Sequence, residues 1–242
     1  MFVTSFVFAI VIAYATAEVP DYIQVCGRRN PKIEQCILNS VENLRSKICD
    51  GIPELDVPSI NPMTFKDINF IDTPSMKVYL KRVNTSGLCN FNVTYLRGDP
   101  IKLHYDIELK MNHVIFDIDY DFNIRLLVPI EHKGLLNLYL DDVLARATVD
   151  FATATKNGKK HVYMSKMKLN IDVNDKSVHY KINEDRADQL LVIVNNFIGQ
   201  NTQELIDTLK PFMEEHFIKQ IFLLSNNIVK HFTYDELFPD RL

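Results

Sequence analysis

The sequence predicts a single-module α+β fold in which a highly curved antiparallel sheet wraps around a long helix. From Phe65 to Ile182, apolar and polar residues alternate with a period of two, as in strands with one buried side. Short turn signals such as Asn157-Gly158 separate these strands, so neighbouring strands are expected to be antiparallel. Helical periodicity with a broad apolar face returns after Glu184, which provides the helix that the sheet surrounds.

The first 17 residues are expected to be a cleaved signal peptide. They carry no charge, contain the apolar run 6–13 and end in Ala15-Thr16-Ala17, a small-x-small cleavage pattern. A membrane anchor is the alternative, but the apolar run is shorter than the roughly 20 residues that span a bilayer. We therefore expect a secreted, extracellular protein with no stable membrane insertion, in which residues 18–242 form one domain.

One helix is predicted before the strands and two after them. Asn30 and Pro31 suit the start of the first helix, and Asp50-Gly51 suits its end. The long helix is predicted over residues 184–209, and Pro211 is expected to break or kink it before a second helix over residues 211–230.

The curvature of the sheet is predicted from two slips in the alternation. Apolar residues change from even to odd positions between Leu140 and Val143, and again between Met164 and Met167. Because a slip of one residue turns a strand face inside out, bulges or bends are expected near Asp141-Asp142 and Ser165-Lys166. Another alternating run is predicted from Ile101 to Leu109.

Charge and cysteine content limit the possible partners. With a formal net charge of −4 and mixed signs, the protein has no electrostatic reason to bind nucleic acid. The four cysteines contain no CxxC pair and are expected to form disulfides in a secreted chain, with three connectivities possible. They are Cys26, Cys36, Cys49 and Cys89.

Residues 51–63 contain three prolines with Ile52, Leu55, Val57 and Ile60 between them, so this segment is expected to be extended and packed on a core. Together with Cys26, Cys36 and the terminal Leu237-Phe238-Pro239, it resembles the takeout and juvenile-hormone-binding-protein family of secreted insect lipid carriers. Asn61 and Met63 depart from that pattern, in which an acidic residue and a leucine are common.

The resemblance implies a tubular lipid-binding (TULIP-like) module with an apolar tunnel between sheet and helix. It implies a non-enzymatic carrier of a small hydrophobic ligand, either a terpenoid such as juvenile hormone or a fatty-acid-like lipid. It also implies a Cys26–Cys36 bridge. Cys49 and Cys89 lie outside the family pattern and either pair with each other or remain buried thiols.

The candidate ligand-binding residues lie on the strand with the clearest alternation and on the long helix. Each is equally compatible with an ordinary close-packed core. Tyr120 could offer its hydroxyl to an oxygen of the ligand. The candidates are Phe116, Ile118, Tyr120, Phe122, Val194, Phe197 and Ile198.

Two glycosylation sequons begin at Asn84 and Asn92. Asn84 is expected in a turn. Asn92 is expected on the solvent side of a strand whose other side carries Phe91, Val93 and Tyr95.

No catalytic residue, metal ligand or cofactor is predicted. The chain has neither the HExxH pattern of zinc proteases nor the GxSxG elbow of hydrolases. Asp117, Asp119 and Asp121 alternate along a strand, which favours a solvated sheet face over a calcium loop. The alternative to a carrier is a secreted protein-interaction module with a solid core and no ligand, and a lipid-active esterase is a third hypothesis.

Overall fold

The computed structural model describes residues 19–74, 76–125, 129–183, 192, 199 and 202–242. The described part contains a seven-stranded antiparallel sheet, with one helix before it and two after it. The elements are α1 (Ile33–Asp50), β1 (Met63–Asp72), β2 (Met76–Ser86), β3 (Phe91–Asp99), β4 (His104–Arg125), β5 (Pro129–Lys156), β6 (Lys159–Asp172), β7 (Val178–Asn183), α2 (Thr202–Val229) and α3 (Tyr234–Leu237).

The two longest strands, β4 and β5, form the spine of the sheet. They pair from His104 opposite Asp150 to Arg125 opposite Pro129. At one end of this ribbon β3 pairs with β4, and β6 pairs with β5. At the other end β2 pairs with β4, and β7 pairs with β5. β1 pairs with β2 and forms one edge, β6 ends the strand order at the other, and the described strands do not close into a barrel.

The sheet bends where the alternation slips. Between β5 and β6 the register shifts after Asp150, which leaves Ser165 as an extra residue, as predicted. Near Asp142 the outcome differs from the predicted bulge, because Met111 still faces Val143 and Val114 still faces Leu140. In both strands the residues that face the inner side change between odd and even numbers at this point, so the pairing is kept. Asp142 adopts a left-handed φ of 52°. The predicted curved antiparallel sheet is confirmed.

Helix α2 packs on the inner face of the sheet. Phe217 lies edge-on to Phe65 with ring centroids 5.4 Å apart, and Phe212 lies edge-on to Phe70 at 5.1 Å. The prediction that Pro211 separates two helices is wrong, because α2 continues through it from Thr202 to Val229. A proline inside a helix costs about 3 kcal/mol, and the aromatic contacts on the same helix offset that cost.

A second apolar cluster covers the end of the sheet near β3 and β6. Ile52, Leu55 and Val57 are buried there beside Phe232, which is 1% exposed. The backbone of Ile52 and Val57 exchanges two hydrogen bonds, of 2.7 and 3.1 Å. Residues 52–57 are therefore packed on a core, as predicted. The prediction that the segment is extended is wrong here, because Pro53–Leu55 form a 3-10 turn and Asp56 adopts a left-handed φ of 56°.

The cysteines form two bridges. Cys26 joins Cys36 across 5.9 Å between Cα atoms, the pair implied by the family resemblance. Cys49 joins Cys89 across 6.0 Å, so these residues are not free thiols in the structure. The second bridge connects the last turn of α1 to the chain between β2 and β3.

Several local predictions need correction. Helix α1 begins at Ile33, and the Asn30 side chain instead accepts a hydrogen bond from the Lys32 N–H. Ile101 precedes β4 and is 71% exposed, because Asp99 holds this turn by accepting the N–H groups of residues 101 and 102. Tyr95 does not share the side of Val93, since a register shift in β3 separates them.

In the described ranges, none of the helices combines the length and the apolar character that crossing a bilayer requires.

Candidate functional site

A cavity of about 900 Å³ lies between the inner face of the sheet and α2. Its described lining residues come from all seven strands and are overwhelmingly apolar. Residues Leu237 and Phe238 at the chain's C-terminal end also line it, as does Ile48 of α1. The cavity is therefore the space that the curved sheet and the terminal helices leave between them.

The alternation in β4 and β5 explains why so much apolar side chain faces this space. On β4 the lining residues are odd-numbered up to Met111 and even-numbered from Val114, and on β5 the reverse change occurs after Leu140. The bend near Asp142 thus keeps one continuous apolar surface on the concave side of both strands.

Four of the predicted ligand-binding residues, Phe116, Ile118, Tyr120 and Phe122, line the cavity from β4. The Tyr120 hydroxyl lies 3.1 Å from Nδ1 of His132, and the Tyr120 and Phe122 rings stack with centroids 5.9 Å apart. The other three predicted residues, Val194, Phe197 and Ile198, lie outside the described residues.

Sequence reasoning missed the contribution of β1, β2 and α2 to the cavity wall. Phe65 and Phe70 of β1 and Phe212 and His216 of α2 all line it. In α2 the spacing of residues 212 and 216 indicates that both lie on the same face of the helix, since they are one helical turn apart. In β1 the alternation is interrupted at Asp67, which has a φ of 55° and hides the pattern.

Tyr105 is the most deeply enclosed polar side chain of the lining. Burial raises the pKa of its phenol well above the usual value, with smaller contributions from Tyr234 and Asp99. Among the described residues its hydroxyl has no hydrogen-bond partner and is shielded from solvent. Its ring contacts Phe151 edge-on, with centroids 5.9 Å apart. Because the hydroxyl is shielded, Tyr105 presents carbon rather than oxygen to the cavity.

Helix α2 is attached to β6 by polar side chains that bond to the strand backbone. Asn226 accepts the N–H of Met164 at 2.8 Å, and Glu214 accepts the N–H of Ile171 at 2.8 Å. Because an edge strand has unpaired backbone donors, these bonds satisfy β6 while fixing the helix over the cavity.

An ion-pair network lies at the same edge. Lys210, which lines the cavity, is 3.2 Å from Asp172, and Arg146 bridges Asp172 and Glu108. Partial burial disfavours the Asp172 carboxylate, but Lys210 and Arg146 outweigh it and lower the pKa of Asp172. The positive charge of Lys210 is thereby balanced by the Asp172 carboxylate beside the apolar space.

A smaller pocket of about 400 Å³ adjoins the cavity between β1 and α2. Four residues, Phe65, Ile68, Phe212 and His216, line both spaces. The remaining residues that line the smaller pocket are polar, namely Thr64, Lys66, Asp67, Asn69 and Gln220.

The sequon residues lie on strands. Asn84 is part of β2 rather than a turn, because it pairs with Thr64 of β1 and Asp117 of β4, and its side chain accepts a 2.9 Å hydrogen bond from the Thr64 hydroxyl. Asn92 belongs to β3 and is exposed. Both asparagines remain proposed glycosylation sites.

Where the structure describes side chains, no group of three or more His, Cys, Asp or Glu residues is arranged to hold a metal ion.

Two comparisons with known proteins found the same kind of relative. Residues 5–239 match the family model described as haemolymph juvenile hormone binding protein. The crystal structure of Takeout 1 from Epiphyas postvittana superposes with a TM-score of 0.72 at 18% identity, covering 89% of this chain and 99% of that chain. This likeness shows a shared fold and confirms the predicted TULIP-like architecture.

A lipopolysaccharide binding protein structure gives a TM-score of 0.35 at 12% identity, covering 78% of this chain and 38% of that chain. No curated protein matches the sequence.

Proposed function

The chain belongs to the haemolymph juvenile hormone binding protein family, and from that premise we propose that it is a secreted, non-enzymatic carrier of a small hydrophobic ligand. The ligand class is a terpenoid such as juvenile hormone or a fatty-acid-like lipid. The observation that carries this proposal is the cavity of about 900 Å³ with an apolar lining.

The size and the lining of the cavity favour a lipid over water. At liquid density the volume corresponds to about 30 water molecules, but an apolar wall offers them almost no hydrogen-bond partners. A ligand that buries about 300 Å² of apolar surface gains roughly 7 kcal/mol before association costs. Micromolar binding corresponds to about 8 kcal/mol after those costs, so it requires a close fit between ligand and cavity and a polar anchor as well.

The four lining residues of β4, namely Phe116, Ile118, Tyr120 and Phe122, are proposed to contact the ligand, because they lie on the concave face of the spine. Val194, Phe197 and Ile198 remain proposed contacts.

The proposal is tested by titrating the secreted protein with N-phenyl-1-naphthylamine, a dye that fluoresces in apolar surroundings. We expect saturable binding and displacement by long-chain lipids. In A147F, a phenyl ring enters the cavity between Ile107 and Leu169, which pair with Ala147 on either side. Dye affinity is expected to fall about tenfold, which corresponds to about 1.4 kcal/mol.

The matched control is A154F, which adds the same ring at an exposed position of the same strand. It should bind the dye as the wild type does. A folded wild-type protein that binds neither the dye nor any lipid would contradict the carrier function. It would favour the alternative of a secreted protein-interaction module.

A further inference from the structure

We infer that the ligand is an amphiphile whose tail fills the apolar cavity and whose hydrogen-bonding head lies in the smaller pocket beside His216. This inference rests on the proposed function and names the chemical class of the ligand. Its basis is the juxtaposition of an apolar and a polar space across a shared wall of four side chains.

The wall between the two spaces is thin. Phe65 and Ile68 of β1 and Phe212 and His216 of α2 face the cavity on one side and the smaller pocket on the other. A chain that passes between these side chains would leave apolar surroundings and meet polar groups. The boundary thus matches the point where the tail of an amphiphile ends and its head begins.

Strand β1 offers hydrogen-bonding groups to the head. It is an edge strand of the sheet and pairs with β2 alone among the described strands. Residues 64–69 of β1 line the smaller pocket, on the side of the strand where α2 passes. An edge strand carries backbone N–H and C=O groups without a partner strand, and these groups can bind a polar head.

His216 is held in a defined orientation at the boundary. Its Nδ1 lies 2.9 Å from the carbonyl oxygen of Phe212, and because a carbonyl only accepts, Nδ1 carries the proton. The imidazole ring also packs against Phe212 with centroids 4.1 Å apart. In the neutral ring the lone pair is therefore on Nε2, which can accept a hydrogen bond from a hydroxyl of the ligand.

Three polar groups that line or adjoin the cavity are less suited to this role. Tyr120 and His132 contact each other at 3.1 Å, and Lys210 is paired with Asp172. The Tyr105 hydroxyl is enclosed by protein and presents no surface to a ligand. The smaller pocket, by contrast, adjoins the apolar space and is lined by polar groups that can bind a head.

The first test compares three ligands on the wild-type protein by displacement of N-phenyl-1-naphthylamine. The ligands are tetradecane, 1-methoxytetradecane and 1-tetradecanol, which share one tail. The alcohol alone donates a hydrogen bond, so we expect it to bind about tenfold more tightly than the ether. Equal affinity of alcohol and ether would overturn the inference, even if all three displaced the dye and so supported the carrier function.

The second test locates the head. H216F keeps an aromatic ring beside Phe212 but removes Nε2, so affinity for the alcohol should fall about tenfold while affinity for tetradecane changes less than about twofold. The matched control is H179F, which alters an exposed histidine on the outer side of β7 and should leave both affinities unchanged. H132F removes a partner of the Tyr120 hydroxyl and tests Tyr120 as the alternative site of the head. Loss of alcohol binding in H132F but not in H216F would overturn the inference. Failure of the wild type to bind the dye would overturn the proposed function as well.

Discussion

His104 is one residue whose role depends on the register of the sheet. The register places His104 directly opposite Asp150, and its Nδ1 lies 2.6 Å from the Asp150 carboxylate. Its Nε2 is 3.5 Å from Asp106. No local sequence pattern connects His104 to Asp150, because 46 residues separate them.

These carboxylates make the stability of the protein depend on pH. The hydrogen bond to Asp150 raises the pKa of His104 above its usual value, with attraction from Asp106 and Asp150 adding to it, although burial acts in the opposite direction. A raised folded-state pKa means that the stabilisation is complete below about pH 6.5, the unfolded value. It is lost as the pH rises through the raised value.

We therefore expect H104Q to lower the melting temperature more at about pH 5.5 than at about pH 8.5. Thermal denaturation followed by circular dichroism across this range measures the effect. D150N removes the partner and should reproduce the change, and the double variant should add nothing to it. An equal loss at both pH values would show that His104 acts through packing alone.

At the scale of elements, the period-two pattern predicted the inner face of β4, β5 and β6 correctly, including the extra residue at Ser165. Alternation is a local property, and a buried concave face enforces it strongly. The continuity of α2 through Pro211 was not predicted, since its cause is packing on the sheet rather than helix propensity.

Helix α2 gives a direct measure of that packing. Phe217 is 8% exposed and contacts Phe65, so F217A should lower the free energy of unfolding by about 3 kcal/mol or more. The control L223A lies on the same helix but is 55% exposed, and it should cost less than about 0.5 kcal/mol. Urea denaturation of both variants without ligand provides the comparison. Similar losses in the two variants would mean that α2 is not held by its inner face.

At the scale of the whole molecule, the sequence predicted a sheet around a helix but could not predict a cavity. Alternation shows which side of a strand is apolar, yet the same side chains can pack solidly or surround a space. The distance between α2 and the sheet decides this, and contacts far apart in sequence set that distance. One such contact joins Asn226 to Met164, which are 62 residues apart. The smaller pocket escaped prediction for the same reason, because β1 and α2 meet only in the folded chain.

The two disulfides should contribute unequally to the stability of the whole molecule. None of the residues of α1 is buried, so burial alone attaches this helix weakly, and the Cys49–Cys89 bridge connects it to the sheet. That bridge spans 40 residues of sequence, whereas Cys26–Cys36 spans 10. Since a longer closed loop restricts the unfolded chain more, C49S/C89S should cost about 4 kcal/mol and C26S/C36S about 3 kcal/mol.

Chemical denaturation of both double variants under oxidising conditions, without ligand, tests this order. The comparison is internal, because each variant leaves the other bridge intact and both changes replace cysteine pairs by serine. If C26S/C36S were the less stable variant, the contribution of the bridges would depend on native contacts near the N-terminal segment rather than on loop length. Residue Ile48 of α1 lines the cavity. If C49S/C89S were destabilised as expected and also lost affinity for N-phenyl-1-naphthylamine, attachment of α1 to the sheet would be required for ligand binding.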